Sequence, residues 1–167
     1  PNNLQKWRFP NYQLPANEKI IIFASNKTLS FYPSHWENIV KANDIWKYKL
    51  GSSTISSNWN SLNFDDQLWN SGQGGIGYGD NDDNTIISNT ISVFIRNKFT
   101  IHDVNDLTHL LFHADYDDGF IAYINGVEIM RSNNFSTYFQ TYNTTANSNH
   151  EAVLYSGGVT ENKLFSF

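Results

Sequence analysis

The chain has no cysteine, a single methionine and four prolines in 167 residues. Without thiols, disulfides, thiolate zinc sites and thiol nucleophiles are all excluded, although that absence does not fix the compartment. Charge is sparse as well. Only 16% of the residues are Asp, Glu, Lys or Arg, the formal net charge is −5 and the pI is near 5.4. No electrostatically driven nucleic-acid or anionic-membrane partner is expected from such a balance. Long apolar runs are missing too: the longest, 20–24, is far short of the roughly 20 residues that span a bilayer, so no membrane insertion is expected. No signal or transit peptide is recognisable. The opening at Pro1 gives the expectation that the sequence begins inside a longer protein.

What the chain does have is aromatic residues, at 16%, with Asn and Ser filling the polar positions. That mixture suits β-sheets with turn-rich connections better than helices, because Asn and Ser favour turns and caps. The strongest local signal is two alternating apolar segments, 120–124 and 127–130, joined at Asn125-Gly126. Asn-Gly in that setting predicts a hairpin closed by a type I′ turn, which needs φ > 0 at both central residues. Asp117, Asp118 and Gly119 read as the structural turn that leads into it. Further strands are predicted over 18–25, 46–50, 91–101, 108–114, 151–155 and 163–167, and a single helical turn carrying apolar residues inward over 64–69. The segment 36–41 reads as a short helical turn or an irregular link. The glycine-rich stretch 72–79 lacks the Lys-Ser/Thr of a phosphate loop and reads as a tight loop. A closing segment with strand composition and no turn after it would expose an unpaired edge, so the chain is expected to be cut at both ends.

Residues 46–131 resemble galactose-binding-like jelly rolls attached to secreted bacterial proteins. The resemblance is carried by Trp46-Lys-Tyr48, Asn58-Trp59, Phe64-Asp-Asp-Gln-Leu-Trp69, Gly74-Gly-Ile-Gly-Tyr-Gly-Asp80, Phe94-Ile-Arg96, Asp115-Tyr-Asp-Asp-Gly119 and Asn125-Gly-Val-Glu128. Ahead of them Trp7-Arg-Phe-Pro10, Leu14 and the run 20–25 resemble the closing strands of a lamin-tail domain, an immunoglobulin-like sandwich. The resemblance implies an all-β chain in three parts: a C-terminal lamin-tail fragment over 1–30, a linker over 31–44 and a truncated jelly-roll β-sandwich over 45–167. It also implies a place beside spore-coat-kinase-like (CotH) domains in large surface proteins. Most of the lamin-tail unit and all of any kinase-like region are absent from this sequence, so kinase activity does not carry over.

Several groups invite a chemical reading. Asp80, Asp82 and Asp83, with Asn81, Asn84 and Thr85, offer hard oxygen ligands suited to a structural Ca²⁺. The competing reading is a solvated turn whose Asp and Asn side chains cap backbone amides, and the Gly and Glu positions of an EF-hand are not met. Asp115, Asp117 and Asp118 repel one another unless donors intervene, so at least one is expected to pair with Arg96, Arg131 or a backbone amide. A glycosidase pair is conceivable there, but turn chemistry favours a structural role. Trp59, Tyr78 and Tyr123 are the candidate carbohydrate-stacking rings, with the alternative that such large rings are core. His109 and His113 sit four apart in a predicted strand, about 13 Å, too far to share one metal. Asn-X-Ser/Thr sequons at Asn26, Asn134 and Asn143 are what chance supplies in an Asn-rich chain.

Taken together these features predict a non-catalytic accessory module of a secreted or cell-surface bacterial protein. It would bind extracellular glycan or position neighbouring domains, with loops 72–85 and 132–150 as the contact surface. The alternative is a structural spacer, stiffened by Ca²⁺, attached to an enzyme such as a CotH-like kinase or a phosphoesterase.

Overall fold

The computed structural model describes residues 36–79, 83–135, 141–153 and 160–166. The predicted strand at 18–25 and the whole lamin-tail-like fragment lie outside the described residues, as do Asp80 and Asp82. The chain divides into two compact units, Pro1–Ser34 and His35–Phe167, and every described residue belongs to the second. That unit is all-β with mainly antiparallel pairing. Its nine described strands are β1 (Ile45–Leu50), β2 (Asn70–Gln73), β3 (Ile76–Gly77), β4 (Thr85–Ile86), β5 (Val93–Arg96), β6 (His109–Ala114), β7 (Ile121–Ile124), β8 (Val127–Arg131) and β9 (Glu161–Ser166). One 3-10 turn, Val104–Asp106, is capped by the Asp103 carboxylate, which accepts from the Asn105 amide. Among the described residues no helix is long and apolar enough to cross a membrane.

Strands β2, β1 and β5 form one antiparallel sheet, β6 pairs with β9, and β7 with β8. β3 and β4 make a two-residue parallel bridge. The link 36–44 is irregular, with no helical turn, and is tied to the strands that follow it. The Gly74 amide donates to the Asp44 carbonyl at 3.0 Å, and a Cβ on Gly74 would stand 1.9 Å from the Ala42 carbonyl oxygen. Only glycine allows two backbones to approach that closely.

The hairpin turns at the predicted place. Asn125 and Gly126 have φ of 51° and 85°, Ile124 pairs with Val127, and the ladder continues past β8 where the Ser132 amide donates to the Phe120 carbonyl at 3.0 Å. Its register shifts between Ala122 and Tyr123, leaving Ile129 as the extra residue of a bulge. Lys163 of β9 donates its ammonium to the Ile129 carbonyl at 2.7 Å, so the carbonyl that the bulge removes from the ladder is satisfied across the two sheets. Phe120 meets Phe112 of β6, with ring centroids 6.1 Å apart, while Tyr123 meets Trp59 at 5.8 Å. Leu110, Phe165, Ile124, Val127 and Ile129 line an open apolar hollow of about 240 Å³ on the hairpin and the β6–β9 pair.

Three predicted elements differ. The 64–69 segment is a β-turn, closed by Trp69 donating to Asp66 at 3.0 Å, and it does not carry all its apolar residues inward: Trp69 is 7% exposed but Leu68 is 99% exposed. The 91–101 strand shrinks to Val93–Arg96. Residues 151–153 are not strand, because the Val153 amide goes to a side chain instead of a neighbouring strand.

Within β5 the inside and outside residues invert their usual character. Ile95 is 41% exposed and Arg96 only 9%. The pairing Lys47↔Arg96 and Lys49↔Phe94 puts Arg96 and Phe94 on the same face, against the 59–69 segment. There the Arg96 Nε donates to the Asp66 Oδ2 at 2.9 Å, and one terminal nitrogen donates to the carbonyls of Trp59 and Ser61. The guanidinium also stands 5.2 Å from the centroid of the Phe64 ring. Burial alone would push the Asp66 carboxyl up. The Arg96 hydrogen bond, helped by the charges of Lys98 and Arg96, outweighs it and holds the group below 3.8. A carboxylate lowered on folding stabilises the fold above its unfolded value, and that contribution is lost as pH falls through the folded value. Arg96→Met is therefore expected to destabilise the domain by about 3–5 kcal/mol in urea unfolding at neutral pH, since it strands the Asp66 charge. Asp66→Asn is expected to flatten the loss of stability that wild type shows below pH 3.8.

Candidate functional site

The acidic turn and the segment 141–153 are one assembly. A turn in which Thr144 donates its amide to the Thr141 carbonyl at 3.0 Å starts that segment, and the chain then runs along the hairpin entrance. The Asn147 amide donates to the Asn134 carbonyl at 2.7 Å, and the Asn134 Nδ2 donates to the carbonyls of Asp118 and Ser148. The Asp118 amide donates to the His150 carbonyl at 2.7 Å, the His150 amide returns a bond to the Asp118 Oδ1 at 3.3 Å, and the Val153 amide donates to the Asp115 Oδ1 at 2.8 Å. The His150 ring stacks on Tyr116 with centroids 4.1 Å apart, its Nδ1 3.0 Å from the Tyr116 carbonyl, which requires Nδ1 to carry the proton.

Asp115 and Asp118 thus each accept from a backbone amide, while Arg96 binds Asp66 and the Arg131 guanidinium holds Glu128 at 2.6 Å. Asp118 has a φ of 55° and the Gly119 amide donates to the Asp117 carbonyl at 2.9 Å, a tight reversal into the hairpin. Ser132, 1% exposed, accepts from the Phe120 amide at 3.1 Å and its Oγ is 2.7 Å from the Asn134 Oδ1. Asn134, which in the sequence stands out only as a chance sequon, is the knot of this region. A Ser two residues before an Asn, just past a predicted strand, is the pattern that could have indicated it.

The three candidate sugar-stacking rings separate. Trp59 and Tyr123 are half-buried and brought together edge to face, at 5.8 Å and 85°. Trp59 also meets Phe94 at 5.0 Å and 89° and stacks on Trp69 at 6.4 Å. Rings that use several sides on one another have little left to offer a ligand. Tyr78 is exposed and its hydroxyl donates to the Thr90 carbonyl at 3.1 Å. Of the proposed calcium ligands Asp80 and Asp82 lie outside the described residues, and Asp83 lies within them. The Asp83 carboxylate stands against Gly77, where a Cβ would come within 2.6 Å of Oδ1. Among the described residues no group of three or more His, Asp or Glu side chains could hold a metal ion.

A groove of about 520 Å³ is formed where the chain leaves β5 beside the link. Residues 37–40 and Asp44 contribute from the link, Ile45 from the start of β1, and 97–100 and His102 from the β5 exit. Its lining is mostly polar, with Ile39, Ile45 and Phe99 as large apolar members, 37%, 66% and 41% exposed. The Asp44 carboxylate caps its own turn by accepting from the Lys41 amide at 2.8 Å, which fixes that side of the groove. The other side is fixed by β5, whose last residue is the anchored Arg96. None of these residues stands in a motif, and sequence patterns miss them for that reason.

No family model, no curated protein and no solved structure matches the chain.

Two measurements test this arrangement. Trp59→Ala is expected to cost roughly 2–3 kcal/mol in denaturant unfolding, somewhat below the range for a fully buried aromatic because the ring is half-buried. A platform ring would cost little. Burial, then the hydrogen bond and charge of Glu161, push the Tyr116 hydroxyl up to about 12. A proton held more tightly in the fold stabilises it fully below the unfolded value of 10.0, and this is lost as pH rises through 12. In an ultraviolet titration of tyrosinate, wild type should show a late-ionising phase that Tyr116→Phe removes.

Proposed function

We propose that this chain is a non-catalytic accessory module of a secreted or cell-surface bacterial protein, binding extracellular carbohydrate while holding neighbouring domains in place. The observation that carries the reading is the division of labour among its polar groups. Asp115 and Asp118, two of the three carboxylates of the acidic turn, each accept a backbone amide at Oδ1, from Val153 and His150. The polar lining of the groove between the link and the β5 exit is instead gathered around an open cleft. Clefts of roughly 300–1,000 Å³ are the size that small-molecule sites take. The jelly-roll resemblance of residues 46–131 supports the same reading, since accessory modules of that kind accompany larger surface proteins.

Affinity electrophoresis of the full chain through gels containing soluble polysaccharides tests it. Retardation by at least one polysaccharide relative to a gel without it is the expected result. Uniform mobility across the panel would replace carbohydrate binding with a spacer role.

A further inference from the structure

We propose that the groove between the link and the β5 exit is the carbohydrate subsite, that it takes a neutral oligosaccharide, and that the exposed ring of Phe99 is its stacking platform. The inference rests on the carbohydrate reading above and adds the place and the ligand class. Three observations support it.

Two of the three rings that composition offers are occupied elsewhere, and the third, Tyr78, is exposed but is not among the groove's lining residues. Trp59 and Tyr123 are packed on each other, and Trp59 on Phe94 as well, whereas Phe99 lines the groove and keeps 41% of its surface open. A sugar presents one face of C–H groups and a rim of hydroxyls, so it needs an open ring with donors and acceptors beside it. Asn97 and Asn38 line the same groove, and an amide both donates and accepts, which matches a hydroxyl.

Charge narrows the ligand class. Lys98 lines the groove, but its ammonium is shared with the Asp66 carboxylate at 3.7 Å, and Asp44 adds a carboxylate to the same lining. A groove with this balance repels a phosphate or a uronate more than it attracts one. Among the described residues no cluster of metal-ligating side chains would reverse that sign. A neutral polyhydroxylated chain meets no such penalty.

Stiffness is the third. The link flank is held by hydrogen bonds, since Asp44 caps the turn at Lys41 and carries the bond from Gly74, and the other flank starts directly after the anchored Arg96. A site whose walls are fixed before binding loses less freedom when it fills.

The test uses the full chain in affinity gels with dextran, xyloglucan and galactan as neutral probes and polygalacturonate as the anionic one. Retardation by a neutral probe is expected for wild type. Phe99→Ala and, separately, Asn97→Ala should each weaken it about tenfold. Leu68→Ala, at a fully exposed residue of the 64–69 turn, should leave it unchanged. Near-ultraviolet circular dichroism of the Trp59–Trp69 pair reports that each variant is folded, and if Phe99→Ala unfolds, Asn97→Ala decides alone. Retention unchanged in the groove variants overturns the subsite while carbohydrate binding stands. Retention by polygalacturonate alone overturns the ligand class. No retention by any probe removes the carbohydrate reading, and the subsite with it.

Discussion

The order of the second unit depends on one side chain, Arg96, because a strand, a turn and an irregular segment all meet at its guanidinium. β5 carries it, the Asp66 carboxylate receives its Nε, and the carbonyls of Trp59 and Ser61 accept from one of its terminal nitrogens. Those carbonyls belong to a stretch with no strand or helix of its own, so no ladder satisfies them. A buried carbonyl without a partner is costly, and a rigid planar donor with five hydrogens can serve several at once. The segment is therefore pressed onto the sheet, and Trp59 and Trp69 arrive on the same face as Phe94. The ring cluster follows from the anchored arginine.

A similar logic operates at the hairpin entrance. The hairpin brings Asp115, Asp118 and Asn134 there, and the segment 141–153 satisfies them with backbone groups. Both regions use polar side chains to hold irregular backbone, where a larger apolar core would ordinarily suffice. Among the described residues only Trp69 and Ile87 are buried apolar residues, so polar anchoring carries an unusual share of the order. Backbone held this way is stiff where the bonds are and open between them, and the groove beside Asp44 and Asn97 lies in one such opening.

What is legible in the sequence is whatever short-range rules determine. Asn125-Gly126 specifies a turn by local sterics alone, and the turn stands where those sterics put it. The strands around it alternate well enough to be placed within a residue or two, as with Thr108 against the observed start at His109. Expectation and structure part where tertiary context reverses a local rule. Alternation along 91–101 puts isoleucines on one face and, on the other, a phenylalanine and an arginine. Hydropathy favours the isoleucine face as the inner one, yet the structure buries Arg96 and exposes Ile95. No window of sequence records that Asp66, thirty positions earlier, takes Arg96 as its partner. The 64–69 segment departs for the same reason: its apolar spacing suggests a helical turn, but Asp66 is fixed by the arginine and Trp69 by the ring cluster, which leaves Leu68 in solvent.

The candidate site is the least legible part, for a physical reason. Trp59 and Tyr123 stand out in a sequence because large rings are rare and costly to expose, but the same cost draws them into the interior. Residues such as Asn97, Asn38 and Phe99 are ordinary singly and acquire meaning only when β5 ends beside the link. Composition therefore points first to rings such as Trp59 and Tyr123 that pack on one another, while a binding surface is built from rings that stay open. In this chain a ring's value as a platform depends on its neighbours, and Phe99, with two amides and a mixed set of charges around it, has the surroundings that Trp59 lacks.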